Sequence, residues 1–192
     1  TGGSYNALRL FLANDDGTDY TALVIDPGNY FLQGTNMADI DNDGDLDLFA
    51  ANQDGLSAPF RNLGNNVFSL DYNLINPVSS VPSDNSGNYG TVWADYNNDG
   101  ASDLYISKYR LGVTDASDGR RLNLLFRNDD DDDFTEVAAF AGLLPMGQSI
   151  STAFGDIDND GDYDAFVINH DIPNALYRNI GNGTFTNITS NS

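Results

Sequence analysis

Three short segments gather oxygen donors at a spacing suited to a metal ion. They read Asp39-Ile-Asp-Asn-Asp-Gly-Asp-Leu-Asp47, Asp95-Tyr-Asn-Asn-Asp-Gly-Ala-Ser-Asp103 and Asp156-Ile-Asp-Asn-Asp-Gly-Asp-Tyr-Asp164. In each nine-residue loop, positions 1, 3, 5 and 9 carry Asp or Asn and position 6 is Gly. Alternate positions of a tight loop turn their oxygens toward one centre, and glycine permits the sharp bend. That donor set suits Ca²⁺, a hard cation that takes about six to eight oxygens. The candidate ligands are Asp39, Asp41, Asp43 and Asp47; Asp95, Asn97, Asp99 and Asp103; and Asp156, Asp158, Asp160 and Asp164. Position 7, held by Asp45, Ala101 and Asp162, would add a backbone carbonyl whatever its side chain. The middle loop has one neutral ligand, Asn97, and is expected to bind most weakly. Carboxylates crowded into one loop repel each other without a cation, and three bound ions would move the formal charge from −21 to −15.

Two other metal readings fail on residue type. An EF-hand needs a bidentate Glu at position 12 and flanking helices, but position 12 here is Ala50, Ile106 and Val167. A zinc site is excluded by the absence of Cys and a single His.

The loops sit inside a larger repeat, 56 residues apart from Asp39 to Asp95 and 61 from Asp95 to Asp156. Each is followed by an apolar stretch, at residues 48–51, 104–106 and 165–168. A hairpin signature follows in each unit: Phe60-Arg-Asn-Leu-Gly-Asn-Asn-Val-Phe68, Phe126-Arg-Asn with five Asp and then Phe134, and Tyr177-Arg-Asn-Ile-Gly-Asn-Gly-Thr-Phe185. One strand before the loop, one after it and two in the hairpin make a four-stranded unit, the content of a β-propeller blade. At the N-terminus, residues 8–13, the turn Asn14-Asp-Asp-Gly17 and residues 20–25 align with the hairpin alone. The expected fold is therefore all-β, a propeller-type repeat of four-stranded antiparallel blades with about three and a half present. Residues 1–192 form one repeat domain: a half blade at 1–32, blades at 33–75 and 143–192, and between them a blade at 76–142. That middle blade opens with a polar loop at 76–90 and carries an insertion at 109–121.

Composition agrees. Asp, Asn and Gly supply over a third of the residues, 28 of the 29 acids are Asp, and such a chain favours turns over helices. With 40% hydrophobic and 11% aromatic residues it can pack a core. A charge of −21 repels phosphate backbones and anionic membranes, so nucleic acid is not an expected partner. No apolar run approaches the length of a membrane span. Zero Cys rules out a disulfide framework, and a chain that starts at Thr1 without a signal peptide reads as processed or excised.

At these residues the sequence resembles the FG-GAP/VCBS repeat family, the calcium-binding blades of integrin α-chain propellers and many bacterial surface proteins. The stretch Phe154-Gly-Asp-Ile-Asp-Asn-Asp-Gly-Asp162 with Asn174-Ala-Leu-Tyr-Arg-Asn-Ile-Gly-Asn-Gly-Thr-Phe185 is similar to the pattern almost throughout, closest to ASPIC/UnbV-type repeats. Residues 136–143 look like the family's connector between blades. The Phe-Gly pair survives only at Phe154-Gly155, with Met37-Ala38 and Trp93-Ala94 in the other blades. Complete propellers of the family have more blades than this chain supplies. The resemblance implies calcium sites on the loops and a non-catalytic, secreted or cell-surface scaffold for adhesion or for carbohydrate or protein binding.

His170 beside Asp171 lacks a nucleophile signature, and Gln53 takes its place in the first unit, so it reads as an exposed loop residue. Paired carboxylates could hydrolyse glycosides, but most of the Asp residues are already assigned to loops and turns. The run Asp129 to Asp133 reads as a solvated hairpin tip, and the once-per-blade Arg61, Arg127 and Arg178 as structural ion pairs. Lys108, Arg110, Arg120 and Arg121 put half of the basic residues around the insertion, beside Tyr109. Tyr109, Arg110, Arg120 and Arg121 could dock a glycan or a partner's carboxylate, or could simply neutralise an acidic surface. Asn182 and Asn187 fit the N-glycosylation pattern. The N-terminal half blade exposes a strand edge, which invites pairing with other copies of the chain. The reading is a calcium-binding extracellular module that is not an enzyme. The alternatives are a self-assembling subunit of a surface layer or filament, and a lectin or accessory propeller of a glycan-active enzyme.

Overall fold

The computed structural model describes residues 7–26, 28, 30–129 and 133–189, so residues 130–132 of the acidic hairpin tip lie outside the described residues. Among the described residues the chain has fourteen strands in four antiparallel sheets and no helix. β1 (Leu8–Ala13) and β2 (Tyr20–Asp26) form a hairpin, the half blade. Blade 1 comprises β3 (Leu32–Ala38), β4 (Asp47–Asn52), β5 (Ala58–Asn62) and β6 (Phe68–Leu70). Blade 2 comprises β7 (Asn88–Ala94), β8 (Asp103–Lys108), β9 (Leu124–Asn128) and β10 (Phe134–Glu136). Blade 3 comprises β11 (Ser149–Gly155), β12 (Asp164–Asn169), β13 (Ala175–Asn179) and β14 (Phe185–Asn187). Each blade is a four-stranded meander in chain order, and together they make the expected three and a half blades.

The acidic loops connect the first and second strands of each blade. The pairs Ala38↔Asp47, Ala94↔Asp103 and Gly155↔Asp164 close them, so position 9 of each loop is also the first residue of the second strand. That strand is an apolar run because both its faces are covered in blades 1 and 2. Phe49 packs edge-on to Trp93 of blade 2, within a core that includes Leu104, Ile106, Leu124 and Phe126. Tyr105 and Leu125 of blade 2 pack in turn against Val167, Ala175 and Tyr177 of blade 3. Leu8 and Ile25 of the half blade meet Leu48, Ala50 and Phe60 of blade 1. The residues after the second hairpin join in: Val137, Ala138, Ala141 and Leu143 fill the space between blades 2 and 3. Burying each such large side chain stabilises the stack by about 1.5–3 kcal/mol.

The innermost strands approach so closely that a side chain would not fit. A Cβ at Gly34 would lie 2.9 Å from the Tyr89 carbonyl oxygen of blade 2, and one at Gly90 would lie 2.6 Å from that of Ile150 in blade 3. The two segments that interrupt the repeat also lie together: Tyr109 N–H donates to the Gly87 carbonyl at 2.7 Å, and Arg120 lies 3.7 Å from Asp84.

Candidate metal centre

All three acidic loops share one backbone frame. Position 4 adopts a left-handed conformation in each, with φ of 56° at Asn42, 60° at Asn98 and 59° at Asn159. Position 6 does the same at Gly44, Gly100 and Gly161, with φ of 93°, 95° and 97°. Asn and Gly tolerate that region better than other residues, so position 4 is as much part of the bend as position 6. The position 1 carboxylate accepts the N–H of position 6 in every loop, at 3.1 Å to Asp39, 3.0 Å to Asp95 and 3.1 Å to Asp156.

Position 9 holds the frame to the blade. The buried carboxylates of Asp47, Asp103 and Asp164 each accept the N–H of position 2, from Ile40, Tyr96 and Ile157 at 3.0–3.1 Å. Their second oxygens accept the N–H of Asn62, Asn128 and Asn179 on the third strand, at 2.7, 2.9 and 2.8 Å. The side-chain amides of those Asn residues form a second bracket. They donate to carbonyls of their own loop at Leu46, Ser102 and Tyr163. In blades 2 and 3 they also reach back to the preceding loop, Asn128 to Ile40 and Asn179 to Tyr96. The repeated Arg-Asn of the hairpin was the sequence signal for this bracket.

The charged positions differ between loops. Asp39, Asp41 and Asp43 converge in loop 1, and Asp156, Asp158 and Asp164 in loop 3, each with one carboxylate oxygen per residue within 4.8 Å of the others. Among the described residues, loop 2 forms no such group of three acids. There Asn97 donates to Asp99 at 2.6 Å. Oδ1 of Asp39 and Oδ1 of Asp41 are buried without a hydrogen-bond partner. Buried anionic oxygens in that state are costly unless something positive meets them, and a hard cation fits them. Arg61 pairs with Asp41 and, at 3.0 Å, with Asp71. Where position 3 is the neutral Asn97, the matching Arg127 pairs instead with Asp129 at 2.5 Å. Burial raises the Asp47 carboxyl, and it pushes Asp103 up to about 7 against the pull of its two backbone amides. Burial, and then the neighbouring carboxylates of Asp160 and Asp164, raise Asp158. A bound cation would reverse these shifts.

The basic residues around the insertion are engaged in ion pairs. Arg110 pairs with Asp54 at 2.6 Å and also donates to the Gln53 carbonyl. Arg120 grips Asp118, whose carboxyl it holds down at about 2. Arg121 is buried, pairs with Asp171 at 2.9 Å and donates to the carbonyls of Val113 and Met146. Tyr109 stands between Tyr89 and His170, with ring centroids 5.5 and 4.9 Å away. Lys108 is fully buried and donates to Asn88 at 3.0 Å. Asn182 and Asn187 are exposed, and their side-chain oxygens accept the N–H of Thr184 and Thr189.

No curated protein matches the sequence. Among solved structures, the chain is similar to a lectin of Agrocybe aegerita described for its specific recognition of non-reducing terminal N-acetylglucosamine. The TM-score is 0.52 at 15% sequence identity, over 95% of this chain and 51% of the lectin chain. At that identity the likeness is one of fold, and this chain spans about half the length of its neighbour. Residues 39–106, from the first acidic loop through the second, match the FG-GAP-like repeat.

Proposed function

We propose that this chain is a calcium-stabilised, non-catalytic binding module that works outside the cell, in adhesion, scaffolding or the binding of carbohydrate or protein. The observation that carries the calcium reading is the pair of buried, unpartnered oxygens of Asp39 and Asp41 within a converging acidic cluster. The residues that would hold the ions are those at positions 1, 3, 5 and 9 of the loops, with the carbonyls of position 7 available as further donors. When bound, calcium supplies positive charge that lets the loops close without mutual repulsion. At a dissociation constant near 10 μM, about 1 mM Ca²⁺ would stabilise a site by roughly 2.7 kcal/mol.

Glycan binding is the favoured function among those a propeller scaffold can serve. It is supported by the lectin fold neighbour and by Tyr109, whose ring lies beside Tyr89 and His170 at the base of the insertion. The nearby arginines are committed to Asp54, Asp118 and Asp171, so the aromatic surface is the better candidate contact. A glycan array probed with the labelled chain in calcium and in chelator tests this. Binding to a defined terminal sugar that weakens on chelation and on Tyr109→Ala is expected. No binding to any glycan would overturn the lectin function. Turnover of glycosidase substrates would overturn the non-catalytic reading.

A further inference from the structure

One contact joins each blade to the next, and both halves of that contact are repeated, exposed, at opposite ends of the chain. On the face toward the following blade, Ile40 and Phe49 of blade 1 are 1% and 0% exposed, and Tyr96 and Tyr105 of blade 2 are 3% and 1% exposed. Their counterparts in blade 3, Ile157 and Phe166, are 52% and 42% exposed. With Phe154 and Leu176 they line a shallow apolar hollow of about 220 Å³.

The other half lies on the half blade. Each hairpin is closed by one pair: Asn62↔Phe68, Asn128↔Phe134, Asn179↔Phe185 and, in the half blade, Ala13↔Tyr20. Two residues before each closing pair comes an aromatic: Phe60, Phe126, Tyr177 and Phe11. In blades 2 and 3 these two rings pack against the preceding blade. Phe11 and Tyr20 occupy the same positions and are 62% and 61% exposed.

A detail of the inner strands fits a half blade on this face better than a whole one. Gly34 and Gly90 leave room for the first strand of the following blade, and Ser151 stands at their position in blade 3. A complete blade in the same geometry would bring backbone against the Ser151 Cβ. Among the described residues the β1–β2 sheet has two strands, matching the outer pair of a blade, and no inner strand.

We propose that the β12–β13 face of blade 3 docks the β1–β2 hairpin of a second copy of this chain, with Phe11 and Tyr20 covering the hollow around Ile157 and Phe166. Such a contact is heterologous, so it extends copies head to tail into a row or closes them into a ring. It uses faces, whereas the strand edge of the half blade remains available for pairing of its own.

Sedimentation velocity in calcium, from low to high micromolar protein, tests the proposal with Phe11→Asp and Phe166→Asp. Both residues are exposed, so each variant should keep the wild-type calcium-dependent melting curve, which separates this test from that of the calcium reading. Wild type should associate with rising concentration, and each variant alone should lose association by about thirtyfold or more, as when a central aromatic anchor is removed. An equimolar mixture of the two variants should form a one-to-one dimer and go no further, because one intact face of each kind remains. A wild type that stays monomeric would overturn the proposal and leave a further blade of a longer polypeptide as the cover. Association that survives in either variant, or a mixture that stays monomeric, would overturn it as well.

Discussion

The middle blade and its two neighbours share a frame and differ in charge. All three loops have the same left-handed positions and the same position 9 carboxylate gripping two backbone amides. Loops 1 and 3 carry five Asp each, whereas loop 2 carries three, with Asn97 and Ala101 in place of the others. Blade 2 also buries Lys108 where blades 1 and 3 have Asn52 and Asn169, and it carries the insertion with its paired arginines. The contrast teaches that loop shape and loop charge are separable. Gly, Asn and the position 9 Asp build the loop, and positions 3 and 7 set how much negative charge it gathers.

The largest expected effect comes from removing the cation altogether. Chelation should lower the melting temperature of the whole chain by well over ten degrees, since each of three sites at calcium a hundredfold above its dissociation constant would contribute roughly 2.7 kcal/mol. Equal melting in both buffers would break the comparison at its root. Next in size is the frame. Asp103→Ala leaves two buried amides without an acceptor and should cost about 2–4 kcal/mol, even in chelator, by denaturant unfolding. A loss seen only in calcium would mean that position 9 acts as a ligand and not as a rivet.

Blade 2 offers a test remote from the loops. Burial holds the Lys108 amine down at about 7, against the pull of Asp84 and Asp118, so the folded state releases a proton that the unfolded chain keeps. The unfolded chain then binds more protons between about pH 7 and pH 10, and stability contributed by this group rises with pH across that window. Wild type should gain about 2 kcal/mol relative to Lys108→Met between about pH 7 and pH 9. Parallel pH profiles would show that the amine is solvated. The smallest effects are the charge exchanges at position 3. Asn97→Asp should tighten calcium at loop 2 and Asp158→Asn should weaken it at loop 3, each by about tenfold, which is about 1.4 kcal/mol. Titration of the two variants would make the middle loop resemble its neighbours, or the reverse.

Blades and loops were legible in the sequence because their signals are local. A turn needs Asn or Gly at fixed positions, and a strand covered on both faces needs an apolar run, so three copies in register announce themselves. Partners distant in sequence were not legible. For Arg110, Arg120 and Arg121 the sequence left a docking site and local charge neutralisation both open, and the fold brings Asp54, Asp84 and Asp171 to them from other segments. The position 9 Asp read as one more ligand, and its amide partners 15 and 25 residues on could not be foreseen from spacing. Nor could sequence show that Phe166 and Phe11 are the uncovered halves of a contact buried elsewhere, because exposure depends on what the neighbouring blade covers.

The most direct test of the account is a calorimetric titration of the chelated, refolded chain with Ca²⁺. Three sites are expected, two tighter ones assigned to loops 1 and 3 and a weaker one lost in Asp99→Ala. Absence of calcium binding under conditions where the chain is folded would contradict it.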